Sequence, residues 1–123
     1  MRMKTRRVVA MVFVADVERS IGFYRHLGFE VGNTFTQEGA KKPTWVWLEC
    51  GDAQLMFAKA DEPIVADQQR ILFYVYTDDV REAHESLAAV GLNPGEISTP
   101  FYAPRGEFRV VDPDGYVLMI THT

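Results

Sequence analysis

One stretch of this chain occurs twice, and that repeat limits the possible folds more than any other feature. Residues 14–29 and 76–92 each pass from an apolar segment through an Asp and a helical pattern to a Gly followed by an apolar residue. Asp16 and Asp79, Gly28 and Gly91, and Met56 and Met119 are each separated by 63 residues. One offset holding at three separated places marks a duplicated module. At 123 residues the chain can bury the core of one domain and is too short for two independent ones.

Residues 7–14 are almost all apolar and rich in β-branched side chains, which predicts a buried strand. Asp16 is placed to cap the helix that follows, where Val17, Ile21, Tyr24 and Leu27 recur at helical spacing. Gly28 suits a left-handed cap at the end of that helix, and Phe29 opens a strand over 29–36. A polar loop over 39–43 leads to strands at 45–48 and 54–57, joined by a turn at Gly51 and Asp52. Residues 60–69 change in composition as a linker does. The second copy predicts a strand over 70–77, a helix over 79–90 and strands over 93–98, 107–111 and 116–121. Pro113 and Gly115 suit a tight turn over 112–115. The predicted fold is α+β. Two tandem βαβββ modules, about 6–59 and 70–122 with a linker over 60–69, form a single domain spanning 1–123. A curled mixed sheet carries the helices on its outer face.

Strand alternation then assigns side chains to faces. Across the Gly51–Asp52 turn Trp47 falls opposite Met56, so Trp45, Trp47 and Met56 share one face. Val46, Leu48, Leu55 and Phe57 share the other. Phe73 and Val75 alternate with Leu72, Tyr74 and Tyr76, and Leu118 and Ile120 alternate with Val117, Met119 and Thr121. One face is therefore aliphatic and suited to burial under helices. The other collects Trp45, Trp47, Met56, Tyr74, Tyr76, Phe108 and Met119. Tyr and Trp are common where one end of a side chain is buried and the other wet. Such a face is covered by the other module, by a second chain or by a ligand, and in the last case it forms a cup. The loop over 98–106 carries Phe101, Tyr102 and Arg105, where they could close over that cup. Arg105 suits a ligand carboxylate or phosphate, or else an ion pair with Glu107 or Asp114.

A net charge of −4 weighs against a nucleic-acid partner. Arg2, Lys4, Arg6 and Arg7 cluster near the start, but no apolar run follows that is long enough for a signal peptide or a membrane span. The lone Cys50 excludes an internal disulfide and fits a reducing cytoplasm. With no base near it in sequence, it reads as a small residue at a strand end.

The Asp16-Val17, Ser20, Phe23-Tyr24 and Leu27-Gly28-Phe29 pattern, the Phe-Arg-Val-Val-Asp-Pro-Asp-Gly-Tyr run over 108–116 and the βαβββ repeat together resemble the vicinal oxygen chelate superfamily. That group includes glyoxalase I, extradiol dioxygenases, fosfomycin-resistance enzymes and bleomycin-resistance proteins. The likeness covers essentially the whole chain. It implies a homodimer in which modules from two chains build each pocket, and a divalent metal held by His and Glu on the concave face. The family's first-strand ligand falls seven residues before the capping Asp, at Val9 here and at Leu72 in the second copy. Its last-strand ligand falls seven residues after Asp112, at Met119, with Met56 as the counterpart. None of these four can hold a hard or borderline divalent ion. His26 and His84 occupy non-equivalent helical positions and His122 alternates away from Met119, so the histidines do not replace them.

Neither metal nor cofactor is therefore expected, and with no metal there is no Lewis acid to polarise a substrate. The resemblance then points to the metal-free bleomycin-resistance branch, whose members bind a bulky, cationic, aromatic-bearing glycopeptide without chemistry. The function expected is metal-independent sequestration of a bulky or aromatic small molecule by a cytoplasmic homodimer, with no nucleic-acid or membrane partner. Its binding residues would be Trp45, Trp47, Met56, Tyr74, Tyr76, Phe101, Tyr102, Arg105, Phe108 and Met119. Glu38, Glu49, Asp52 and Glu107 could draw a cation to that site, or simply be solvated hairpin ends. Two alternatives stay open. One is a superfamily enzyme acting on a small metabolite, an isomerase, lyase or dioxygenase-like catalyst, with Tyr74 or Tyr76 as acid and Glu49 or Glu107 as carboxylate. The other is an accessory domain whose aromatic face makes only protein contacts.

Overall fold

The computed structural model describes residues 1–123. They form two compact units, Met1–Ile64 and Val65–Thr123. Two α-helices and seven strands in two mixed sheets make the fold α+β.

In the first unit, strand β1 (Met11–Val14) leads to helix α1 (Val17–Arg25), and β2 (Glu30–Phe35), β3 (Trp45–Cys50) and β4 (Ala53–Lys59) follow. The sheet runs in the order β1-β4-β3-β2. β1 is parallel to β4 and the other neighbours are antiparallel. The Asp16 carboxylate accepts from the backbone N–H of Arg19 at 3.2 Å, fixing the start of α1. Its end is closed by Gly28 at φ +93° and by the N–H of Phe29 on the carbonyl of Tyr24. The apolar stripe of α1 packs on β3 and β4. There Val14, Val46, Leu48 and Phe57 have no exposed surface. The Tyr24 ring lies 4.8 Å from that of Phe57 and meets Phe29 edge-on at 6.0 Å.

The second unit repeats the plan. After a short 3-10 turn (Ala66–Gln68) come β5 (Leu72–Tyr76), α2 (Val80–Ala89), β6 (Phe108–Val111) and β7 (Val117–Thr121). The sheet order is β5-β7-β6, with β5 parallel and β6 antiparallel to β7. Asp79 caps α2 through the N–H of Glu82 at 3.0 Å. Gly91 at φ +80° and the N–H of Leu92 on the carbonyl of Leu87 close it, as their counterparts close α1. Repetition thus reaches the hydrogen bonds at both helix ends. Gly115 is required for space as well as for its φ of +90°, because a Cβ there would run into the backbone of Ala66.

Three expectations are corrected. The curled sheet is two separate hydrogen-bonded sheets. The strand expected over 7–14 pairs only from Met11, with Ala10 adding its carbonyl to the N–H of Met56; Arg7 instead lies against Trp47. The strand expected over 93–98 does not form. Asn93 adopts φ +53° and Pro94 has no N–H to give, so this segment reaches β6 only through Gly95 and an isolated bridge between Ser98 and Glu107.

Candidate functional site

The helices cover one side of each sheet and leave the other open. In the first unit Trp47 pairs with Met56 and Trp45 with Ala58, and Met11 lies beside Met56 across the parallel pair. Alternation therefore brings Trp45, Trp47, Met56, Met11 and Phe13 to the open face, joined by Phe35 from opposite Trp45. Phe13 is 51% and Phe35 60% exposed, a large apolar area for a protein surface. A bulge in β2 helps to shape this face. A Cβ on Gly32 would come within 2.8 Å of Trp47 Cδ1 and 2.6 Å of Glu49 Oε1, so only glycine lets that indole lie where it does. The Arg7 guanidinium carbon sits 5.7 Å from the Trp47 ring centroid, within cation–π range.

In the second unit Tyr74 pairs with Met119 and Tyr76 with Thr121, while Arg109 pairs with Met119 from the other side. These side chains share the face away from α2, where Tyr74 and Tyr76 are exposed while Met119 and Thr121 are buried. The rings of Tyr74 and Tyr76 lie 6.3 Å apart. At one end of the face a groove of about 400 Å³ is lined by Gly95, Glu96, Ser98, Tyr102, Glu107, Phe108, Arg109 and Met119. The loop after Pro100 reaches into it. Tyr102 donates its hydroxyl to Glu107 Oε1 at 3.1 Å, and Phe101 meets the Tyr102 ring edge-on at 5.3 Å.

That hydrogen bond, followed by the negative charge of Glu107, holds the Tyr102 phenol above its ordinary pKa. Because the folded value is raised, the contribution is intact below the ordinary phenol range and is lost as the pH rises through the raised value. Glu107→Gln keeps an acceptor and removes the charge. It is expected to bring the phenol part of the way back, seen as an earlier rise of tyrosinate absorbance, with Tyr102→Phe identifying which rise belongs to Tyr102.

Two of the expected binding residues are placed differently from the expectation. Phe108 is not on the open face. It pairs with Ile120 on the α2 side, is 2% exposed and meets His84 edge-on at 4.9 Å, so it reaches the groove only from the core side. Arg105 is held by the end of the chain. Its Nη2 donates to the Thr123 carbonyl at 2.8 Å and its backbone N–H to His122 Nε2 at 3.0 Å. It lines a different hollow, beside Asp78, Asp79 and Arg81. The residues that sequence reasoning missed are Met11, Phe13, Phe35 and Arg109. Extending the period-two alternation into β1, β2 and β6 would have found them.

The metal implied by the resemblance does not fit. Val9, Met56, Leu72 and Met119 offer hydrocarbon and thioether, and no three His, Cys, Asp or Glu side chains come together as a metal site. No helix is long and apolar enough to cross a membrane.

Two sheets of this topology, each with a helix on one side and an aromatic face on the other, define the glyoxalase class of fold. The family model of the Glyoxalase/Bleomycin resistance protein/Dioxygenase superfamily matches residues 6–120, and the chain belongs to that superfamily. Solved structures with the same fold include a bleomycin resistance determinant encoded on the transposon Tn5, at 20% identity and TM-score 0.75 over 97% of this chain and 98% of that one. A bleomycin-binding protein complexed with bleomycin is similar at 20% identity and TM-score 0.74, over 97% and 99% of the two chains. TnmS3, an antibiotic-binding protein from Streptomyces sp. CB03234, is similar at 21% identity and TM-score 0.74, over 98% of each chain. No curated protein sequence matches this chain.

Proposed function

We propose that this protein sequesters a bulky aromatic small molecule on its open sheet faces, without a metal ion and as a homodimer. The observation that carries this reading is the composition of those faces. Side chains that elsewhere would be core (Trp45, Trp47, Met56, Tyr74) lie, none of them buried, on the side of each sheet that its helix leaves uncovered. Large apolar area left open in this way is characteristic of a surface that binds. Planar rings stack on such side chains, and the Arg7 guanidinium near Trp47 is an example within the chain of a cation drawn to one of them. The ligands named for bleomycin-binding and antibiotic-binding proteins of this fold support the class of molecule. Exposed Met11, Phe13 and Phe35 supply apolar area that a second chain would cover. Thioether and hydrocarbon at the superfamily's ligand positions favour binding that needs no metal, and the single cysteine suits a cytoplasmic setting.

Tryptophan fluorescence tests this directly, since both tryptophans are on one open face. Titration with metal-free bleomycin is expected to quench saturably at about one ligand per chain, with a Kd on the order of micromolar or tighter. The curve should not change after washing with chelator. No quenching at about millimolar ligand would remove bleomycin as the ligand.

A further inference from the structure

Glu107 has a need that its own chain leaves unmet. Only 5% of the residue is exposed. Oε1 accepts from Tyr102, but Oε2 is shielded from solvent and has no hydrogen-bond partner. Charges buried in native proteins are paired or fully hydrogen-bonded, because a low-dielectric surrounding penalises them otherwise. This carboxylate also lines the groove at the end of the second open face, where two carboxylates, Glu96 and Glu107, accompany the single guanidinium of Arg109. Arg109 lies two residues along β6 and is exposed. Tyr102, whose hydroxyl is on Oε1, is 61% exposed and stands at the same groove.

We propose that Glu107 Oε2 is the docking point for a protonated amine on the ligand, so that this groove selects an organic ammonium carried next to a ring. The inference rests on the small-molecule-binding reading above and adds the chemical class of the ligand. An ammonium supplies the donor that Oε2 lacks and also neutralises the charge, forming a charge-assisted bond in a shielded place. The Tyr102 ring beside it offers a face to the cation or to the attached ring.

The test uses the full-length protein, labelled for amide resonances, and three probes of one shape: phenethylammonium, neutral phenethyl alcohol and anionic hydrocinnamate. Phenethylammonium is expected to shift the amides of Gly95, Ser98, Glu107 and Arg109 saturably, and to bind about tenfold or more tightly than either of the others. Glu107→Gln should reduce it to the affinity of the alcohol. Equal affinity for ammonium and alcohol in the unsubstituted protein overturns the proposal, and this comparison needs no variant to fold. Preference for hydrocinnamate overturns it in favour of Arg109 as the anchor, and no groove shifts with any probe overturns it outright. Its failure is separable from that of the wider reading. Bleomycin quenching without any charge preference in the groove sinks this inference alone, whereas ammonium binding without quenching sinks only bleomycin.

Discussion

Replacing Phe57 by Ala is expected to lower the unfolding free energy by about 3–5 kcal/mol, the range for deleting a fully buried aromatic side chain. Phe57 has no exposed surface and sits in β4 between Val12 and Val46, with its ring against Tyr24. Those three contacts tie the parallel strand, the hairpin and α1 into one core. The void would be hard to fill, because its walls are strands in register on both sides rather than a loop that can collapse. Urea unfolding followed by circular dichroism measures the effect as a lower midpoint at an unchanged slope. Phe57→Leu retains most of the apolar volume and should lose clearly less. A loss below about 1 kcal/mol for the alanine variant would mean that the first unit is not packed around this ring.

Asp112→Ala is expected to cost about 2–4 kcal/mol, on the scale of one or two hydrogen bonds to a charged group. Asp112 opens the turn between β6 and β7 and is 4% exposed. Its Oδ1 accepts from the backbone N–H of both Asp114 and Tyr116, each at 2.9 Å, while the Gly115 N–H bonds its carbonyl at 3.0 Å. Alanine would remove the carboxylate that accepts from these two buried donors. Asp112→Asn retains a carbonyl oxygen at that place and should keep a good part of the stability, which separates lost bonds from lost charge. The neighbouring Tyr116 phenol gives a second reading. Burial raises its pKa most and the Asp112 and Asp114 carboxylates raise it further, so removing Asp112 should lower it. Equal stability of the Ala and Asn variants would count against the paired hydrogen bonds as the cause.

Much of the fold could be read locally. Asp16 and Asp79 cap their helices and Gly28 and Gly91 end them, because capping depends on residues within one turn of each other. The facing of Trp47 and Met56 followed from a two-residue turn and a period of two. Reading failed at other places, for different reasons. Phe108 was assigned to the wrong face because β6 takes its register from β7, beyond the turn. Residues 93–98 keep strand-like composition in part, yet Asn93 and Pro94 break the regular ladder. The partner of Arg105 was likewise out of local reach, since its Nη2 donates to the Thr123 carbonyl.

Period, turn chemistry and repetition were therefore enough to specify the modules, their helices and the aromatic character of one face, since each follows from contacts between near neighbours in the chain. Tertiary structure alone decided how the candidate groove is lined. It buried Glu107 with one oxygen satisfied and one free, brought Tyr102 to it across a loop and placed Arg109 beside Met119. The physical reason is that burial and pairing belong to the surroundings of a group. A glutamate before a strand has the same chemistry in any sequence until the packed chain removes its water.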